Sequence, residues 1–159
     1  MTAETHLVIA HPFLNGLPPP LLQPLVEHAT WTVFGPGQRI FAEGGTADRF
    51  WLIEDGEVAL EIQVPGRGLV TIETLGPWTV LGWSWLDPPY RWRFGATARR
   101  ATSAIEVNAL SLRQRLAQDP QLGYALTRKF LDVVVDRLQS TRLRLLDLYA
   151  HGGQVGAHE

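Results

Sequence analysis

The residues best suited to meet a ligand lie in one run, Gly82-Trp83-Ser84-Trp85-Leu86, continued by Pro88-Pro89-Tyr90-Arg91-Trp92-Arg93. Indoles carry a broad apolar face and one N–H donor each, so Trp83, Trp85, Tyr90 and Trp92 could line a pocket for a flat, largely aromatic ligand. The same rings could instead fill that cavity and make it core. Ser84 offers a hydroxyl to an anion. Arg91 and Arg93 offer charge-assisted pairing, but they alternate with Trp92, Phe94 and Ala96 and so share the face opposite these apolar side chains. If that face is solvent, both are surface charges.

No other constellation carries chemistry. There is no G-x-S-x-G elbow, H-E-x-x-H pair or P-loop. Glu43, Glu54, Asp55 and Glu57 fall in strands and turns, where a solvated face is the ordinary explanation. The five histidines, at 6, 11, 28, 151 and 158, lack ligand spacing. The chain has no cysteine, which excludes disulfides and cysteine-ligated zinc or iron–sulfur centres. We therefore expect a non-enzymatic protein without metal or cofactor.

The elements that would position the tryptophan run are strands. Arg39 to Val58 reads RIFAEGGTADRFWLIEDGEV, with apolar residues flanking a Gly-Gly turn and Asp55-Gly56 making a second turn. That is strand, turn, strand, turn, strand, with glycine supplying the positive φ at each reversal. Trp31 to Phe34 reads as an earlier strand. Val58, Leu60, Ile62 and Val64 alternate with polar positions as a half-buried strand, and Leu69 to Leu75 returns the chain. Prolines 18, 19 and 20 open a short helix carrying Leu21, Leu22, Leu25 and Val26, which Pro24 shortens or tightens. Ala104 to Leu110 is a last strand, followed by Ser111 as a helix N-cap and by Asp119-Pro120 opening a longer helix.

The run I-F-x-E-G-x-x-A-D-x-F-W-x-I-x-x-G-E-V resembles the central segment of cyclic-nucleotide-binding domains of the catabolite-activator and Fnr type. The resemblance covers roughly residues 11 to 148. It implies an α+β fold: an antiparallel β-roll, a double-stranded jelly-roll-like barrel, with a short N-terminal helix and a long C-terminal helix. In nucleotide-binding members a Gly-Glu pair and a short helix meet the ribose and the cyclic phosphate, and an arginine of an Arg-Ser/Thr-Ala motif pairs with the phosphate. Here Gly82 is kept, Trp83 stands where the glutamate would fall, and the second motif reads Phe94-Gly95-Ala96-Thr97-Ala98. Losing one partner of a buried charged hydrogen bond costs about 2–5 kcal/mol, so ordinary cAMP or cGMP binding is not expected. Candidate ligand residues are Gly82, Trp83, Ser84, Trp85, Tyr90, Arg91, Arg93 and Thr97.

The long helix repeats Leu131, Leu138 and Leu145 every seven residues, with Val134, Thr141 and Leu148 three residues after each. Such an a/d seam packs a helix against its own domain or against a partner helix. At 1.5 Å per residue the helix is about 40 Å long, more than a small domain covers, so a parallel homodimer is expected. The resulting divisions are a flexible N-terminus over 1–10, the roll over 11–118, the dimerisation helix over 119–149 and a flexible tail over 150–159, with no helix-turn-helix domain. A net charge of -2 and the absence of a basic surface argue against direct DNA binding. No signal peptide or membrane span is read, and a cytoplasmic location is the default. The expected function is a regulatory or sensor domain acting through its dimer helix. Alternatives are a ligand-free protein–protein interaction module, a subunit beside a separate DNA-binding chain, and a true cAMP or cGMP regulator using a substitute arginine.

Overall fold

The computed structural model describes residues 10–155. Two four-stranded antiparallel sheets make the β-roll. In one, β1 (Ala29–Phe34), β8 (Thr102–Asn108), β3 (Arg49–Asp55) and β6 (Val80–Leu81) lie side by side in that order. In the other the order is β2 (Arg39–Phe41), β7 (Gly95–Ala98), β4 (Val58–Val64) and β5 (Gly68–Leu75). A 3-10 turn at Pro12–Leu14 and helix α1 (Pro19–Glu27) precede the roll, and α2 (Ala109–Gln118) and α3 (Pro120–Val155) follow it.

The turns of the Arg39 to Val58 stretch are corners rather than hairpins. β3 pairs with β8 and β6, while β2 and β4 lie in the other sheet, so the chain changes sheets at Gly44-Gly45 and again at Asp55-Gly56. Among the described residues only β4 and β5 are consecutive strands that pair with each other. The corner at Gly56 has φ +124, and a Cβ there would meet Thr102 Oγ1 at 2.3 Å and its Cα at 2.5 Å. No side chain fits that approach.

Crossing between sheets buries both faces of β3. Trp51 stacks on Phe41 of the opposite sheet at 5.5 Å between ring centroids. Its neighbour Phe50, pointing the other way, stacks on Trp85 at 5.3 Å and meets the edge of Phe130 on α3 at 5.0 Å. The four residues Phe50 to Ile53 are accordingly all buried.

Several boundaries differ from those read in the sequence. β1 begins at Ala29, and β8 runs over Thr102–Asn108 instead of 104–110. The cap of α2 is Asn108, whose Oδ1 accepts from Leu110 N and Ser111 N; Ser111 lies inside the helix. The capping-box pattern at Ser111 misled because the strand itself ends on a residue able to cap. Asp119 does cap α3, accepting from Leu122 N at 3.2 Å. α3 continues to Val155, past the Tyr149 end expected from the seam, and takes in Gly152 and Gly153. Residues 1–9 and 156–159 of the expected flexible ends, with His6 and His158, lie outside the described residues. Among the described residues no helix is long and apolar enough to cross a membrane.

Candidate ligand site and helix seam

Gly82 leaves β6 with φ +98 and starts the 3-10 turn Ser84–Leu86. The turn is closed by Leu86 N donating to Trp83 O at 3.1 Å and Asp87 N donating to Ser84 O at 3.3 Å. It is held to α2 by Arg113, whose Nη1 donates to Trp85 O at 2.7 Å. The chain then returns along the Gly-Gly corner. Trp92 N donates to Gly45 O, Gly44 N to Trp92 O and Ala47 N to Tyr90 O, each at 2.8 Å. That backbone pairing directs Trp92 into the roll.

The four aromatic candidates do not converge on one pocket. Trp92 is buried inside the roll, stacked at 3.8 Å on Phe41 and at 5.9 Å on Trp51. Trp85 is fully buried on the other side of β3, between Phe50 and Phe130. Tyr90 packs under the guanidinium of Arg113, 3.8 Å from its ring centroid. Trp83 stays half-buried at the surface beside Phe94, at 6.2 Å. Odd and even positions of this segment face opposite ways, and the 3-10 turn rotates Trp83 and Trp85 apart, so proximity in sequence separates the rings in space.

The polar candidates also divide. Ser84 is buried, and its hydroxyl, like Trp85 Nε1, has no hydrogen-bond partner among the described residues. Arg91 is exposed and donates to Gly44 O at 3.3 Å. Arg93 is exposed, pairs with Asp87 at 2.5 Å and lies over Trp83 at 5.7 Å. Thr97 shares their outward face, because Ala96 and Ala98 on either side are fully buried in the roll. The alternation expected from sequence is therefore the one observed: on the outer face Arg91 and Arg93 are exposed, while Gly95 and Thr97 are half-buried. Among the described residues no cluster of three or more acidic or histidine side chains could hold a metal.

Two residues that matter here carried no signal in the sequence reading. Arg137 of α3 reaches back to the roll, with Nη2 donating to Val80 O at 2.5 Å and Nε 3.7 Å from a Glu73 carboxylate oxygen. Burial lowers its proton affinity, and Glu73 and Asp136 oppose that. His11 is buried, with Nδ1 accepting from Phe13 N and Nε2 3.1 Å from Ile53 O, an arrangement that suits the neutral ring. Burial holds its pKa below the ordinary histidine value. Both contacts join positions more than forty residues apart, beyond the reach of local patterning.

α3 presents two different faces. Leu122, Leu126 and Phe130 are buried against the roll. Of the seam, Val134 is half-buried, Leu131, Leu138, Leu145 and Leu148 are 48–69% exposed, and Thr141 is exposed. From Thr141 to His151 every residue is exposed, so the roll covers only the first half of this helix.

Comparison with known proteins agrees with this architecture. A family model described as cyclic nucleotide-binding domain matches residues 31–119. The chain is 33% identical over 142 residues to the CRP-like cAMP-activated global transcriptional regulator of Mycobacterium tuberculosis, covering 84% of this chain and 58% of that protein. It thus spans under two thirds of the length of the curated relatives it matches. Among solved structures, a protein of Geobacter metallireducens GS-15 superposes with a TM-score of 0.77 at 25% identity, over 87% of this chain and 99% of that one. The Thermus thermophilus Catabolite Activator Protein superposes with a TM-score of 0.65 at 22% identity, over 87% and 63% of the two chains, a likeness of fold.

Proposed function

We propose that this chain, which belongs to the cyclic nucleotide-binding domain family, is a non-catalytic regulatory module whose roll is closed by its own tryptophans and which acts through a dimer helix. The observation that carries the reading is Trp92. Its ring fills the roll against Phe41 and packs on Gly82, where a Cβ would meet it at 3.0 Å. Trp83 replaces the acid that would hold a ribose, and Arg93 is already engaged by Asp87. Dimerisation is supported by the leucine seam, left open to solvent along the half of α3 that the roll does not cover.

A second reading has one observation in its favour. The buried Ser84 hydroxyl lacks a protein partner, and an unpaired buried polar group costs about 1–3 kcal/mol. A phosphate-bearing ligand would supply the missing partner, with Arg93 released from Asp87 to pair with it. The relative's name attributes cAMP activation to that regulator; carrying it here belongs to this second reading.

A thermal titration with cAMP and cGMP, each taken to millimolar concentration, separates the two. A ligand at a hundred times its dissociation constant stabilises by about 2.7 kcal/mol, a rise of roughly 5–10 °C for a chain of this size. The closed-roll reading expects no response to either nucleotide. A rise of that size that Ser84→Ala and Arg93→Ala abolish would replace it with the second.

A further inference from the structure

A groove of about 330 Å³ lies between the 3-10 turn Pro12–Leu14, the loop leading into β6 and α3, lined by Phe13, Trp78, Lys129, Asp132, Asp136 and Arg137 among others. Its volume is in the range of small-molecule pockets, roughly 300–1,000 Å³. None of its α3 residues is a seam position; at 3.6 residues per turn they lie on the opposite side of the helix.

Two of the walls are aromatic. Phe13 is anchored edge-on to Phe130 at 4.9 Å, and Trp78 lies beside the buried His11 ring at 5.9 Å. Trp78 has φ +66, a conformation that a bulky side chain takes only at a cost. Backbone pairing holds it there, with Trp78 N donating to Ile53 O and Ile53 N to Thr79 O, each at 2.9 Å. The indole is 50% exposed, so it borders the groove instead of entering the core.

The charges around it are unevenly engaged. Lys129 Nζ donates to Asn15 O, and Arg137 donates to Val80 O and pairs with Glu73. Asp132 and Asp136, one turn apart on the same helix face, enter no ion pair among the described residues, though Asp136 acts on the Arg137 charge. Three carboxylates, Glu73, Asp132 and Asp136, thus meet two cations, Lys129 and Arg137. The surplus is negative.

We propose that this groove binds an organic ammonium ion with an apolar or aromatic body, its charge lying between Asp132, Asp136 and the Trp78 ring. An indole face attracts a cation through its quadrupole, the two carboxylates add charge, and Phe13 receives the apolar part. An anion meets the surplus charge, and a bare metal ion gains little from the apolar wall. The site is separate from the roll interior and from the seam, so it needs neither the closed-roll nor the dimer reading. Bound there, the ammonium joins α3 to the loop before β6, beside the Arg137 contact that already links them.

Phenethylammonium is the probe, phenylacetate its anionic counterpart, and the Trp78 indole N–H resonance the readout. That resonance is the one missing from the spectrum of Trp78→Phe. Phenethylammonium should move it saturably at millimolar concentration and leave the signals of the buried Trp51, Trp85 and Trp92 in place. Phenylacetate should bind about tenfold more weakly or not at all. Asp132→Asn combined with Asp136→Asn, both at exposed positions, should weaken the ammonium about tenfold or more while the other indole signals and the thermal midpoint hold. A Trp78 signal that does not move, that responds equally to both probes, or that titrates unchanged in the double variant overturns the proposal.

Discussion

The Trp92 ring lies so close over Gly82 that a Cβ at residue 82 would stand 3.0 Å from Cζ3 and Cη2. Gly82 also has φ +98, which L side chains rarely adopt. Gly82→Ala meets both penalties, left-handed backbone and overpacking, and should cost about 2–4 kcal/mol in denaturant unfolding. In a Trp92→Leu background the overpacking part is relieved, so the cost of the alanine should fall by at least about 1 kcal/mol. Strict additivity would mean that ring and glycine are not in the stated contact.

Gly56 is the tighter of the two positions. An added Cβ would collide with the Cα of Thr102, a backbone atom that cannot rotate away. Thr102 is itself fixed, its Oγ1 accepting from Glu57 N at 3.2 Å and donating to Arg100 O at 2.9 Å. Gly56→Ala should therefore lose more than about 3 kcal/mol. A loss under about 1 kcal/mol would show that the sheet-crossing corner can open.

Arg137 ties α3 to β5 and β6 through Glu73 and the Val80 carbonyl. Arg137→Leu keeps the apolar stem, removes a charge-assisted hydrogen bond and leaves Glu73 without its cation. A loss of about 1.5–3 kcal/mol is expected, or roughly 4–10 °C in the thermal midpoint. Because the contact joins the helix to the strand leading into Gly82, amide exchange at 80–82 should rise more than in β4. Equal change in both places would point to general loosening.

His11 makes stability depend on pH. Its folded pKa is lowered by burial, so the unfolded chain takes up a proton near the ordinary value of about 6.5 while the folded chain resists it. This contribution is complete above about pH 6.5 and is lost as pH falls from there toward the folded value. His11→Gln should flatten that part of a stability profile taken from pH 8 to 5. An unchanged slope would assign it to other groups.

Much of the architecture was legible because it is written in short-range pattern. Alternation marked β4 and the 91–97 segment, Gly44-Gly45 and Asp55-Gly56 marked the turns, and the seven-residue repeat marked the seam of α3. The same local view placed the cap of α2 at Ser111, since a capping box is a pattern of neighbours and Asn108 competes from three residues upstream. It grouped Trp83, Trp85, Tyr90 and Trp92 as one lining because they are close along the chain.

By itself the sequence determined most of the strands, the turns between them, the shared face of Arg91 and Arg93 opposite the apolar side chains, and the absence of thiol chemistry. These follow from backbone geometry and side-chain type at each position. Only the tertiary structure decided that successive strands belong to opposite sheets, that Trp92 and Trp85 lie on opposite sides of β3, and that Arg137 and His11 bond to the roll. Those outcomes depend on which distant surfaces meet when β3 buries both its faces, and no spacing within the tryptophan run encodes the position of Phe41 or Phe130.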